Sequence, residues 1–125
     1  MQTKKIFIAD DSEIVRARLL VILKDIKGVE VIGQARDGIS ALQRILAIKP
    51  DLVILDIQMP GIDGIEVLKK VKQFHPKTTV VMLTNFPYLA VKLKCLNAGA
   101  DHFFDKSTEV EAMIDAVQKI ACSEK

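Results

Sequence analysis

Leu52-Val53-Ile54-Leu55-Asp56 decides the fold: four consecutive large aliphatic residues that stop at an acid. A strand with one wet face alternates apolar and polar residues, whereas an unbroken run of this length suits a strand buried on both faces. The same signature recurs on either side of it. Ile6–Ala9 ends at Asp10-Asp11, Thr79–Leu83 ends at Thr84, and His102–Phe104 lies just ahead of Lys106. Val29–Gln34 supplies a fifth, less apolar run. Between the runs the apolar period lengthens to that of a helix: Val15, Leu19, Ile22 and Ile26; Ile65, Leu68 and Val71; Leu89, Leu93 and Leu96; Val110, Met113, Ile114 and Val117. Each of these stripes is expected to face a core. Asp37 is placed to cap the second helix, and Thr108 with Glu111 reads as a capping box for the last. Gly99 stands where a left-handed helix end belongs, and Pro50 and Pro76 separate helix from strand.

Five strand–helix units in 125 residues predict one α/β domain, residues 1–125, with a parallel sheet and right-handed crossovers. Five strands favour the flavodoxin-like order 2-1-3-4-5, with five helices on both faces. Half the residues are hydrophobic, so a packed core is within reach and disorder is excluded. A net charge of +2 is too weak a field to argue for nucleic acid. The longest wholly apolar run, Leu19-Leu20-Val21-Ile22-Leu23, is far below the roughly 20 residues of a membrane helix. Ile6-Phe7-Ile8-Ala9 is too short for a secretory core, so a cytoplasmic location is expected, with Cys95 and Cys122 as reduced structural thiols.

Doubly wound sheets carry their chemistry at the carboxyl ends of the strands. Those ends present Asp10, Asp11, Asp56, Thr84 and Lys106. Taken singly, each has an ordinary reading: Asp11-Ser12 as a helix cap, Asp56 as a turn residue, Thr84 as a strand terminator, Lys106 as a solvated amine. Taken together they complement one another. Two carboxylates about 4 Å apart repel by roughly 4 kcal/mol at an effective dielectric near 20, and three either raise a pKa or demand a cation. Lys106 offsets one charge and leaves two, which matches a divalent ion. All-oxygen ligands favour Mg²⁺, with Mn²⁺ as the alternative. A metal, an ammonium and a hydroxyl around one carboxylate equip it for phosphoryl transfer.

These residues, with Asp56-Ile57-Gln58-Met59-Pro60-Gly61-Ile62-Asp63-Gly64 and Asn97-Ala98-Gly99-Ala100 in order between them, resemble the receiver domain of two-component response regulators over essentially the whole chain. The resemblance implies a phosphorylation-controlled signalling switch with Asp56 as phosphoacceptor. It implies that Asp11 and Asp56 bind Mg²⁺, Asp10 directly or through water, and that the Gln58 backbone carbonyl adds a ligand. Thr84 would hydrogen-bond the phosphoryl group and Lys106 would pair with it. Phe103 occupies the aromatic switch position, acting with Thr84. The donor would be a phosphohistidine on a sensor histidine kinase or a phosphotransfer protein. Catalysis would be confined to the domain's own phosphoryl transfer and slow autodephosphorylation, so the chain is not read as an enzyme.

The expected whole is a stand-alone receiver signalling through contact with an unidentified output protein, as a monomer or a phosphorylation-dependent dimer. Direct binding of nucleic acid or membrane is not expected. Two alternatives stay open: the receiver module of a DNA-binding response regulator, and a constitutive interaction module in which phosphorylation is secondary. An FMN-binding relative is rejected, because Asp10-Asp11 stands where a phosphate-cradling loop is needed. A haloacid-dehalogenase-type phosphatase is rejected because Gln58 replaces its second acid. Ser107 follows Lys106 where relatives often have proline; a cis bond there costs roughly 3–4 kcal/mol, so trans is expected. Phe103 has no hydroxyl to hold it outward and is expected to sit partly inward.

Overall fold

The computed structural model describes residues 3–122. Strands and helices alternate: β1 (Lys4–Ala9), α1 (Glu13–Lys24), β2 (Val29–Ala35), α2 (Gly38–Ile48), β3 (Leu52–Leu55), α3 (Gly64–Phe74), β4 (Thr79–Thr84), α4 (Leu89–Asn97), β5 (His102–Asp105) and α5 (Val110–Cys122). All neighbouring strands pair in parallel, in the order β2-β1-β3-β4-β5. The flavodoxin-like topology expected from the five apolar runs is the one observed. Several strands run longer than the apolar pattern marks them: Ala35, Thr84 and Asp105 close β2, β4 and β5.

Alternation along the strands divides the core in two. Phe7, Val53, Leu55, Val80, Met82 and Phe103 face α2, α3 and α4, meeting Ile45, Leu68, Val71 and Cys95. Ile6, Ile8, Leu52, Ile54, Val81 and Leu83 face α1 and α5, meeting Leu19, Leu23, Met113 and Val117. β3 is buried on both faces throughout, and each such aliphatic side chain contributes roughly 1.5–3 kcal/mol on leaving water.

Three helix readings change. On α1 the buried residues are Leu19 and Leu23, with Ile22 only half-buried and Ile26 packing from beyond the helix end. On α5 no capping box forms. The helix opens at Val110, Glu109 turns its carboxylate to the Asp105 N–H at 2.9 Å, and Thr108 hydrogen-bonds the Asp105 carboxylate instead. The largest change is on α4, whose leucine stripe points outward: Leu89, Leu93 and Leu96 are 70%, 49% and 40% exposed. A second stripe of the same period, Val91, Cys95 and Ala98, packs on the sheet in its place. Its smaller side chains let the helix approach closely, and period alone cannot choose between two such stripes.

The helix ends are well made. Ser12, Asp37 and Asp63 each accept a hydrogen bond from an amide of the first turn that follows. After α4, Gly99 at φ 105° donates to Leu96 O and Ala100 donates to Cys95 O, the paired bonds of a left-handed helix terminus.

The loop from β3 to α3 is clamped onto α2 at Gly38 and onto the end of β3 at Gly64, where side chains are missing. Gly38 N donates to Pro60 O at 3.0 Å, and a Cβ at Gly38 would lie 1.9 Å from Ile62 O. Gly64 N donates to Ile57 O at 2.7 Å, and a Cβ there would lie 1.9 Å from Asp56 O. Because the obstacle is backbone in both places, the loop itself must shift. Gly38→Ala and Gly64→Ala should each lower unfolding stability by about 2 kcal/mol or more in urea titrations. Wild-type midpoints in both variants would show that the clamp is not tight.

Candidate functional site

The parallel register brings the acids together. Ala9 lies opposite Leu55, so the next residues, Asp10 and Asp56, leave adjacent strands side by side. Their backbones stay tied to neighbours: Asp10 N donates to Ala35 O and Asp56 N to Ala9 O. Carboxylate oxygens of Asp10, Asp11 and Asp56 lie within 4.8 Å of one another. Asp10 and Asp56 are buried and Asp11 is exposed. The capping role falls to Ser12, whose hydroxyl accepts from Val15 N, which leaves the Asp11 carboxylate free of it.

Lys106 enters from β5, its main chain held by a bond from Lys106 N to Thr84 O. Nζ sits 2.6 Å from Asp10 Oδ2 and 3.2 Å from Asp56 Oδ2. The lysine therefore bridges two carboxylates, closer to Asp10, rather than offsetting a single one. Burial would lower its pKa, but its bonds to Asp10 and the charges of Asp56 and Asp10 hold it above the ordinary value. Asp56 is pushed up to about 6, first by burial and then by the Asp10 charge, with Lys106 opposing both. Among the described residues this is a site short of positive charge.

Thr84 ends β4 fully buried, its Oγ1 accepting from Phe86 N at 3.0 Å. Gln58 is exposed, and among the described residues its carbonyl accepts no backbone hydrogen bond. Phe103 lies inward, 9% exposed, within the core under α4. The Lys106–Ser107 peptide is trans. Asp105 is drawn below the ordinary carboxylate range by the Ser107 N–H, which bonds its Oδ1 at 2.8 Å. One contributor is not evident from the strand ends. Arg16 on α1 donates from Nη1 to Asp10 O at 2.7 Å and from Nε to Gln34 Oε1 at 3.0 Å, latching the end of β1. Its place one turn past the Ser12 cap is the signal that could have found it.

The carboxylate set fits a divalent ion. Three acidic oxygen ligands converge, and one lysine leaves them under-neutralised.

Fold and site together define a flavodoxin-like domain with an acidic centre at the carboxyl edge of its sheet. The chain belongs to the response regulator receiver domain family, whose model matches residues 6–118. It is 39% identical over 114 residues to the uncharacterized transcriptional regulatory protein YhcZ of Bacillus subtilis, covering 91% of this chain and 53% of that protein. It is 34% identical over 116 residues to the response regulator GacA of Pseudomonas syringae, covering 93% and 54%. The chain thus spans about half the length of these curated relatives. Among solved structures it superposes on the signal receiver domain of NarL from Mycobacterium tuberculosis with a TM-score of 0.88 at 30% identity, covering 97% and 98% of the two chains. It superposes on a chain of the CheX-CheY-BeF3-Mg²⁺ complex from Borrelia burgdorferi with a TM-score of 0.86 at 27% identity, covering 98% of this chain and 92% of that one.

The raised Asp56 pKa has a definite sign in stability. An acid that holds its proton more tightly when folded stabilises the fold below its ordinary value of 3.8 and loses that contribution as pH rises to about 6. In metal-free buffer Asp56→Asn should therefore exceed the parent in stability at pH 7.5, by up to about 3 kcal/mol. The two proteins should converge near pH 4. Parallel stability–pH curves from urea titrations would contradict the assignment.

Proposed function

We propose that this receiver domain takes a phosphoryl group onto Asp56 from a phosphohistidine, on a histidine kinase or a phosphotransfer protein, and signals through protein contact. The observation that carries it is the Lys106 ammonium held between Asp10 and Asp56, with Asp11 alongside. Asp11, Asp56 and the Gln58 carbonyl would hold Mg²⁺, with Asp10 direct or through water. An ion held there would neutralise charge on the phosphoryl oxygens. The Asp56 carboxylate forms the new O–P bond in line as the donor's P–N bond breaks. The imidazole leaves with the electron pair, neutral when its other ring nitrogen carries a proton. Lys106 then follows the added charge, and the Thr84 hydroxyl donates to a phosphoryl oxygen. The similar Borrelia burgdorferi complex, with its BeF3 and Mg²⁺, is in keeping with such a site.

Thr84 and Phe103 would relay the event toward α4, β5 and α5. The free thiols of Cys95 and Cys122 suit a cytoplasmic setting. Among the described residues no helix is long and apolar enough to cross a membrane. A second reading, the receiver module of a DNA-binding regulator, is favoured by relatives about twice as long, one of them described as a transcriptional regulatory protein. In that reading the phosphoryl chemistry is unchanged and the output domain differs.

Incubation with acetyl phosphate and Mg²⁺ should add one phosphoryl group by intact mass, and Asp56→Asn should add none. Mg²⁺ should raise the melting temperature of the parent by mass action, and Asp11→Asn should abolish that rise. Retained phosphorylation in the first variant, or an undiminished Mg²⁺ response in the second, would remove the site. NMR of the Phe103 ring reads the relay: its signals should move on phosphorylation, and unchanged signals would exclude Phe103 from it.

A further inference from the structure

Three of the chain's four arginines, Arg16, Arg36 and Arg44, line one cavity between α1, β2 and α2. The cavity has a volume of about 590 Å³ and shares none of its lining with the acidic centre. Elsewhere lysine supplies the positive charge, Arg18 excepted: of 18 basic residues only four are arginine, yet every cation on this wall is one. The choice matters chemically, because a guanidinium is a flat fork of donors matched to phosphate oxygens, while an ammonium is a point charge.

None of the three is neutralised by an ion pair. Those among the described residues all use lysine. Two acids share the wall, Glu13 and Asp37, the latter also accepting from Ser40 N at 2.8 Å, so three guanidinium charges face two carboxylates and the wall stays positive. Two of the forks are also held in place. Arg16 bonds Asp10 O and Gln34 Oε1. Arg44 Nη1 bonds Gln34 O at 2.6 Å, and its guanidinium carbon lies 5.4 Å from the centre of the Phe7 ring. Gly33 makes that seat: a Cβ there would lie 2.9 Å from the Phe7 ring and 3.2 Å from Arg44 Nη2. Forks anchored along one edge keep further N–H donors unspent, and they lose little rotamer freedom when a ligand arrives.

We propose that this cavity is a second anion site, taking a small molecule with two linked phosphates on Arg16, Arg36 and Arg44. A diphosphate is favoured over a monophosphate because the unpaired charge comes from three separate segments of the chain. The concave shape suits a small molecule.

The test is calorimetric titration of the full chain with sodium pyrophosphate in metal-free buffer, where the bare carboxylates repel anions from the acidic centre. Saturable binding is expected with a dissociation constant of about 1 mM or tighter. Arg36→Ala and Arg44→Ala should each weaken it about tenfold; Arg36 is exposed, so its replacement leaves the fold intact. Asp56→Asn should bind as the parent does, which separates this site from the phosphoacceptor. ADP binding as well as pyrophosphate, with AMP weaker, would identify the phosphate chain as what is recognised and a nucleotide as one source of it. Absence of saturable binding, or binding undiminished in the double arginine variant, would overturn the proposal. So would tighter binding of an oligoglutamate peptide than of pyrophosphate, which would make the cavity a docking face for an acidic protein segment.

Discussion

Two carboxylates buried side by side, with one lysine between them, form the constraint on which the rest of this domain turns. Asp10 and Asp56 are delivered by adjacent strands whose register allows no other arrangement. Taking two such charges out of water costs several kcal/mol each unless partners compensate. Lys106 compensates in part, from a third strand, at 2.6 and 3.2 Å. The balance stays acidic, and burial first and the Asp10 charge second push the Asp56 carboxyl up. A divalent cation or a proton would relieve the same excess, so metal affinity and stability would draw on one electrostatic imbalance.

The scaffold around this centre tolerates little displacement. Gly38 and Gly64 let backbone meet backbone, so the β3–α3 loop lies directly on the end of the strand that carries Asp56. Arg16 ties the carbonyl of Asp10 to Gln34 on the other flank. The acidic centre is thus tied on both sides, by the backbone contacts at Gly38 and Gly64 and by the Arg16 side chain.

The helices cover the sheet unequally. Against β3 the neighbouring helices bury large aliphatics, whereas α4 lies on Val91, Cys95 and Ala98 and leaves three leucines in water. The helix over Phe103 is therefore seated on small side chains while it carries exposed hydrocarbon.

Much of this was legible in the sequence. Five apolar runs separated by helical periods determined the sheet, and acids at the ends of two of them located the centre, because a doubly buried strand must be apolar and its first polar residue must lie at the rim. Gly99, Asp37 and the two prolines marked helix ends for local conformational reasons that need no tertiary contact. What only the folded chain decided were choices between equivalent local patterns. On α4 two stripes share one period, and packing volume against the sheet selected the smaller. On α5 Thr108 could cap a helix or bond Asp105, and the proximity of β5 selected the latter. Lys106 could have neutralised any of three acids, and its placement between Asp10 and Asp56 follows from strand order. The gathering of Arg16, Arg36 and Arg44 depends on α1 and α2 flanking β2, a relation between segments that spacing along the chain does not encode.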